Sequence, residues 1–132
     1  MQVDLKPLDE AVIEELVRVF YQRAANDPRL KSIFDHVIHD WDAHHQVVQD
    51  FWSRALLDTE RYKGHPYPLH ARLPLQLEHF DVWLEHFRLT ASEVLPEQAA
   101  ARAIARAEHM AESFKTGMFF DYQPRSGSQP LV

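Results

Sequence analysis

The chain has 132 residues, 45% of them apolar, which is enough for one domain with a real core and too little for two. Its 14 lysines and arginines stand against 20 aspartates and glutamates, and the net charge of −6 argues against a basic nucleic-acid footprint or a polybasic membrane patch. The absence of cysteine excludes disulfides, thiolate-held zinc or iron–sulfur clusters, Cys-x-x-Cys-His haem attachment and thiol nucleophiles.

Apolar residues at steps of three and four predict a first helix over about Asp9 to Ala25, with Val12, Ile13, Leu16, Val17, Phe20, Tyr21 and Ala24 on its stripe. Asp9 is its expected N-cap. Asn26-Asp27-Pro28 reads as a stop and a new start: Asn tolerates a left-handed cap, Asp caps the next helix, and Pro suits its first position. A short helix over Arg29 to Asp35 follows. A second long helix is expected from about Asp40 to Asp58, with His44, Val48, Phe51, Trp52, Ala55 and Leu56 sharing a face. From Thr59 to Leu75 the chain holds Gly64, Pro66, Pro68 and Pro74, so any helix around His70 must be short. The third long helix covers about Gln76 to Val94, with Phe80, Trp83, Leu84, Phe87 and Ala91 inward. Pro96 opens the fourth, striped by Ala103, Ala107, Met110, Ala111, Phe114 and Met118. No alternating strand pattern occurs. The expected architecture is all-α, one domain over residues 1–122, with a disordered polar tail at 123–132. No charged-then-apolar leader follows Met1-Gln2-Val3-Asp4 and no apolar run nears ~18 residues, so a cytoplasmic protein with no membrane partner is expected.

Nine histidines, at 36, 39, 44, 45, 65, 70, 79, 86 and 109, are the nitrogen ligands available to a metal. Tyr21, His44 and Trp83 each combine an apolar body with a polar tip on the stripe of a long helix, and a buried tip needs a partner. Each alone reads as a core residue bonded to backbone, and His70 alone reads as a loop histidine in solvent. Three polar tips on separate helices instead point to a polar ligand in an apolar pocket. A flat tetrapyrrole fits such a pocket, its iron on His70 and its other face toward the cluster. Because successive helical residues turn by ~100°, only one of His44 and His45 is expected to point fully inward, and His44 shares the stripe of Val48, Phe51 and Trp52. A non-haem metal site on a four-helix bundle, built from Asp40, His44, Glu78 and His79, is the alternative, although the paired Glu-x-x-His motifs it requires are missing.

Phe20-Tyr21, then Asn26-Asp27-Pro28-Arg29-Leu30 and Phe34, resembles the opening of the truncated haemoglobins. Trp41-Asp-Ala-His44, Asp50-Phe51-Trp52, Tyr62-Lys-Gly64-His-Pro66 with His70, and Phe80-Asp-Val-Trp83-Leu84-Glu-His-Phe87 resemble their third group, as does the lack of a Gly-Gly pair. The resemblance spans roughly residues 13 to 118. It implies a two-over-two helical sandwich enclosing haem b, with His70 as the proximal iron ligand and Tyr21, His44 and Trp83 as the distal residues. Phe34 and Val48 would lie against the porphyrin, and Phe51, Trp52, Tyr62, Lys63, Arg72 and Phe80 complete the expected cofactor surroundings. Lys63, Arg61 and Arg72 are the cations nearest His70 in sequence and the expected partners of the propionates. The implied function is binding of oxygen, nitric oxide, carbon monoxide or cyanide, with reactive-oxygen or nitric-oxide redox chemistry of a dioxygenase or peroxidase kind, or sensing, and a reductase as electron donor.

Overall fold

The computed structural model describes residues 7–65, 70 and 73–120. The polar tail expected at 123–132 lies outside them. Among the described residues five α-helices run in order: α1 (Glu10–Ala24), α2 (Pro28–Val37), α3 (Trp41–Leu57), α4 (Leu77–Val94) and α5 (Glu97–Lys115), with a π-helical turn at Thr116–Phe120.

Local chemistry sets the boundaries. The carboxylates of Asp9, Asp27 and Asp40 accept from the backbone N–H groups of Val12, Arg29 and Ala43, starting α1, α2 and α3 on orphan amide donors. Asp58 ends α3 in the left-handed region, at φ 62°. Asn26 does not take the left-handed cap expected of it, because the only non-glycine positive φ among the described residues is at Asp58. Its side-chain amide instead donates to the carbonyl of Gln22 at 2.7 Å, which satisfies the end of α1 without a backbone reversal.

Helix contacts run from α1 to both α3 and α4, from α4 to α5, and from α5 back to α3, a closed circuit of two layers with α2 against α4. Large side chains from α1, α3 and α4 meet small ones from α5. Ile13, Leu16, Trp52 and Phe87 are buried, as are Ala99, Ala103, Ala107 and Ala111, whose size allows the backbones to approach closely. Trp52 and Phe87 stack at 4.8 Å and 19°, and Trp83 lies parallel to Phe87 at 5.6 Å.

Polar networks tie segments that are distant in sequence. Ser53, fully buried on α3, donates to the Glu10 carboxylate and lies 2.7 Å from the Thr59 hydroxyl, while Arg61 pairs with the same Glu10 at 3.2 Å. On the other side Asp27 receives Arg29 and His86, joining the start of α2 to α4. Both networks span dozens of residues in sequence, which is why helical periodicity alone did not reveal them.

Candidate functional site

Tyr21 on α1 and His44 on α3 meet directly, with Oη and Nε2 3.0 Å apart. Tyr21 is 8% exposed, and burial pushes its phenol above the ordinary range, so the hydroxyl keeps its hydrogen at every physiological pH. His44 is pushed down to about 4, first by burial and then by the neighbouring imidazoles of His45 and His70. At neutral pH the pair therefore joins a protonated phenol to a neutral imidazole. In one tautomer the phenol donates to Nε2; in the other, Nε2–H donates to the phenol oxygen.

An aromatic wall surrounds the pair. Phe34, Trp41 and Phe20 approach the Tyr21 ring edge-on at 5.8, 5.6 and 4.8 Å. Trp83 joins through Phe20, its ring 5.7 Å away and nearly perpendicular. Of the three residues singled out in the sequence, Tyr21 and His44 are in direct contact, and the Trp83 ring lies against the Phe20 ring that also meets Tyr21.

His45, beside the His44 expected to point fully inward, is half-buried. Its ring stacks on Tyr21 at 5.5 Å and 24° and packs edge-on to Trp41, and its Nε2 is buried with no hydrogen-bond partner. Helix α3 is flanked by both α1 and α5, so the arc it covers is wider than one residue's turn allows. Trp41 and His45 are the members that periodicity missed. The signal available for both was their place beside His44, at the start of a helix rich in aromatic residues.

His70 is half-buried, and its ring lies 5.0 Å from Phe114 of α5, inclined at 32°. Its backbone carbonyl accepts from Leu73 N–H at 3.0 Å.

The remaining expected residues divide into three groups. Val48 and Phe51 are half-buried on α3, and Tyr62 meets the Phe51 ring edge-on at 5.3 Å. Trp52 and Phe80 lie in the closed core. Lys63 is exposed, with Glu60 4.0 Å away, while Arg61 is engaged by Glu10. Arg72 lies outside the described residues. Two members of the alternative metal cluster serve as caps: Asp40 accepts from Ala43 N–H, and His79 Nδ1 accepts from Gln76 N–H at 2.8 Å. Among the described residues no group of three or more histidines and carboxylates is placed to hold a metal ion.

The fold that carries these residues has known counterparts. A model of the bacterial-like globin family matches residues 8–118. The chain belongs to the bacterial-like globins. The group 3 truncated haemoglobin ctb of Campylobacter jejuni is 27% identical over 117 residues, 85% of this chain and 92% of its own. The crystal structure of a group III truncated haemoglobin from the same species superimposes with a TM-score of 0.81 at 26% identity, covering 96% of this chain and all of that one. The fold is accordingly the truncated-globin sandwich, α1 and α3 over α4 and α5. Globin membership makes this a haem-binding protein that takes small ligands, and the non-haem bundle is set aside. Among the described residues no helix is long and apolar enough to cross a membrane.

The side chains of this globin fit a haem. A half-buried imidazole, apolar and aromatic side chains and hydrogen-bonding groups are the chemistry that a single-histidine haem site requires.

Proposed function

We propose that this globin holds haem b through His70 and uses Tyr21, His44 and Trp83 to retain a diatomic ligand, oxygen foremost, on the opposite face. The observation that carries this reading is the Tyr21–His44 contact of 3.0 Å within an aromatic wall, with the half-buried imidazole of His70 available as an iron ligand. Haem, when bound, would supply an iron centre able to take an imidazole and a small diatomic ligand. Phe34, Val48, Phe51, Trp52, Tyr62 and Phe80 contribute the apolar surroundings, and Lys63 and Arg72 are the cations offered to the propionates.

Tyr21 supplies the strongest case for a donor, since burial keeps its hydroxyl hydrogen in place. Without an acceptor nearby, the phenol can spend that hydrogen on His44 Nε2. When a partly negative ligand arrives, a shift of the imidazole tautomer lets Nε2–H donate to the phenol oxygen and frees the O–H for the ligand. His44, neutral down to about 4, can hold its hydrogen on either nitrogen and so serves both arrangements. The indole N–H of Trp83 is a donor only, a fixed contribution beside an adjustable pair. Donors of this kind slow escape, which suits reactive-oxygen or nitric-oxide chemistry, or sensing, in the cytoplasm more than bulk delivery. Turnover of that kind needs an electron donor, a reductase being the simplest; nitric oxide, carbon monoxide and cyanide are further ligands of the same site.

A hydrogen bond to a charged acceptor is worth about 1.5–3 kcal/mol, or roughly ten- to hundredfold in escape rate. Stopped-flow oxygen dissociation from Tyr21→Phe, His44→Leu and Trp83→Phe is expected to show such accelerations. Since the donors share one ligand, the effects are not expected to add. If all three release oxygen at the parent rate, the cluster does not touch the ligand.

A further inference from the structure

A cavity of about 220 Å³ opens between the C-terminal end of α3 and the middle of α5, away from the Tyr21–His44 pair. Arg54 and Asp58 line it from α3 and its cap, Arg102 and Arg106 from α5, and Phe51 forms part of its wall. Three guanidinium groups thus surround one space with a single carboxylate, in a chain where acids outnumber bases 20 to 14. Of the other described arginines, Arg23, Arg29, Arg61 and Arg88 each pair with a carboxylate, while Arg18 stands exposed on α1. Among the described residues no ion pair engages Arg54, Arg102 or Arg106.

Two of the three are held in place. Arg102 Nη2 donates to the carbonyls of Ala55 and Leu56 at 3.4 and 3.2 Å, which orients the group and leaves its charge without a counter-ion. Arg106 lies over the Phe51 ring at 5.6 Å, and that ring is itself fixed edge-on by Trp52 and Tyr62. Capping of α3 accounts for Arg102 and leaves the convergence of the other two unexplained. Planar forks fixed around a concave space match the geometry of phosphate and carboxylate groups. The volume lies below the ~300 Å³ at which drug-sized pockets begin, and amounts to about seven waters at ~30 Å³ each. That leaves room for a small ion and not for a nucleotide.

We propose that this cavity binds a small, multiply charged oxyanion bearing phosphate or carboxylate groups, held by Arg54, Arg102 and Arg106. The cavity shares the Phe51 ring with the proposed haem surroundings, but none of its three arginines belongs to them. Isothermal titration calorimetry of the full chain with pyrophosphate and with citrate, at an ionic strength fixed with sodium chloride, separates the two sources of charge. One saturable site is expected for at least one of them. Each lost charge-assisted contact should weaken it about tenfold or more, so the double variant Arg54→Gln/Arg106→Gln should lose measurable binding. Those two side chains make no hydrogen bond to the rest of the described protein, and Arg54→Gln alone, at an exposed position, gives the same readout if the double variant unfolds. Arg88→Gln, whose guanidinium pairs with Glu108, should bind as the parent does. No saturable heat with either anion, or a parent-like affinity in the Arg54 and Arg106 variants, would overturn the proposal.

Discussion

His44 and His86 each reach a polar partner on another element, at 3.0 and 2.7 Å, yet the two contacts behave in opposite ways. His86 faces Asp27, whose carboxyl is held well below the usual range by the Arg29 side chain first and by His86 next. An ionised carboxylate only accepts, so His86 Nε2 must carry the hydrogen and the bond has one direction. His44 faces a phenol, which accepts or donates, and burial without a counter-charge keeps the imidazole neutral. The first contact bolts the start of α2 to α4. The second is a hydrogen bond whose direction can change when a third group arrives. Burial and distance hardly separate them; the partner's chemistry does.

The comparison can be broken most easily at Asp27. Asp27→Ala removes the α2 cap, worth about 1 kcal/mol, and the bond to His86, worth about 1.5 kcal/mol more. A loss of about 2–3 kcal/mol in urea denaturation is expected, against about 0.5–1.5 kcal/mol for Tyr21→Phe. Equal losses would remove the distinction between bolt and exchangeable contact.

Acid titration sharpens it. His44 is lower in the folded protein than its ordinary value near 6.5, so the unfolded chain binds more protons between those limits. Stability should therefore be complete above about 6.5 and fall as pH drops toward about 4, by about 1–2 kcal/mol once solvent screening at this half-exposed group is allowed for. Asp27 is also depressed, and its contribution is present above the ordinary carboxylate value and lost only as pH falls below about 4. Urea midpoints measured from pH 7 to 3 should show both windows, His44→Phe flattening the upper and Asp27→Asn the lower. A single window unaffected by either change would contradict the assignment.

His45 should give the smallest effect. Its buried Nε2 lacks a partner, so His45→Phe, which keeps a ring against Tyr21 and Trp41, is expected to leave stability unchanged or raise it by up to about 1 kcal/mol. A loss above 1 kcal/mol would mean that the imidazole is satisfied.

Features decided within a few residues were readable in the sequence. Asp9, Asp27 and Asp40 stand one residue before their helices, and the stripes of α1, α4 and α5 follow the 3.6-residue period. What depended on a distant partner was not. Ser53 is buried because Glu10 lies across from it, His86 is placed by Asp27, and His45 folds back because Tyr21 and Trp41 offer it aromatic faces. Asn26 went wrong for a related reason: its composition allows a left-handed cap, but a side-chain bond to Gln22 serves the same carbonyl end. The candidate site was more legible than these ties, because Tyr21, His44 and Trp83 lie on stripes and carry polar tips that a core does not need.

The most direct test compares three proteins supplied with haem: the parent, His86→Ala and His70→Ala. The account predicts an intense Soret band in the parent and in His86→Ala, whose histidine serves the fold. His70→Ala should fail to retain haem unless free imidazole is added. Parent-like haem content with an unchanged ferrous spectrum in His70→Ala would contradict it.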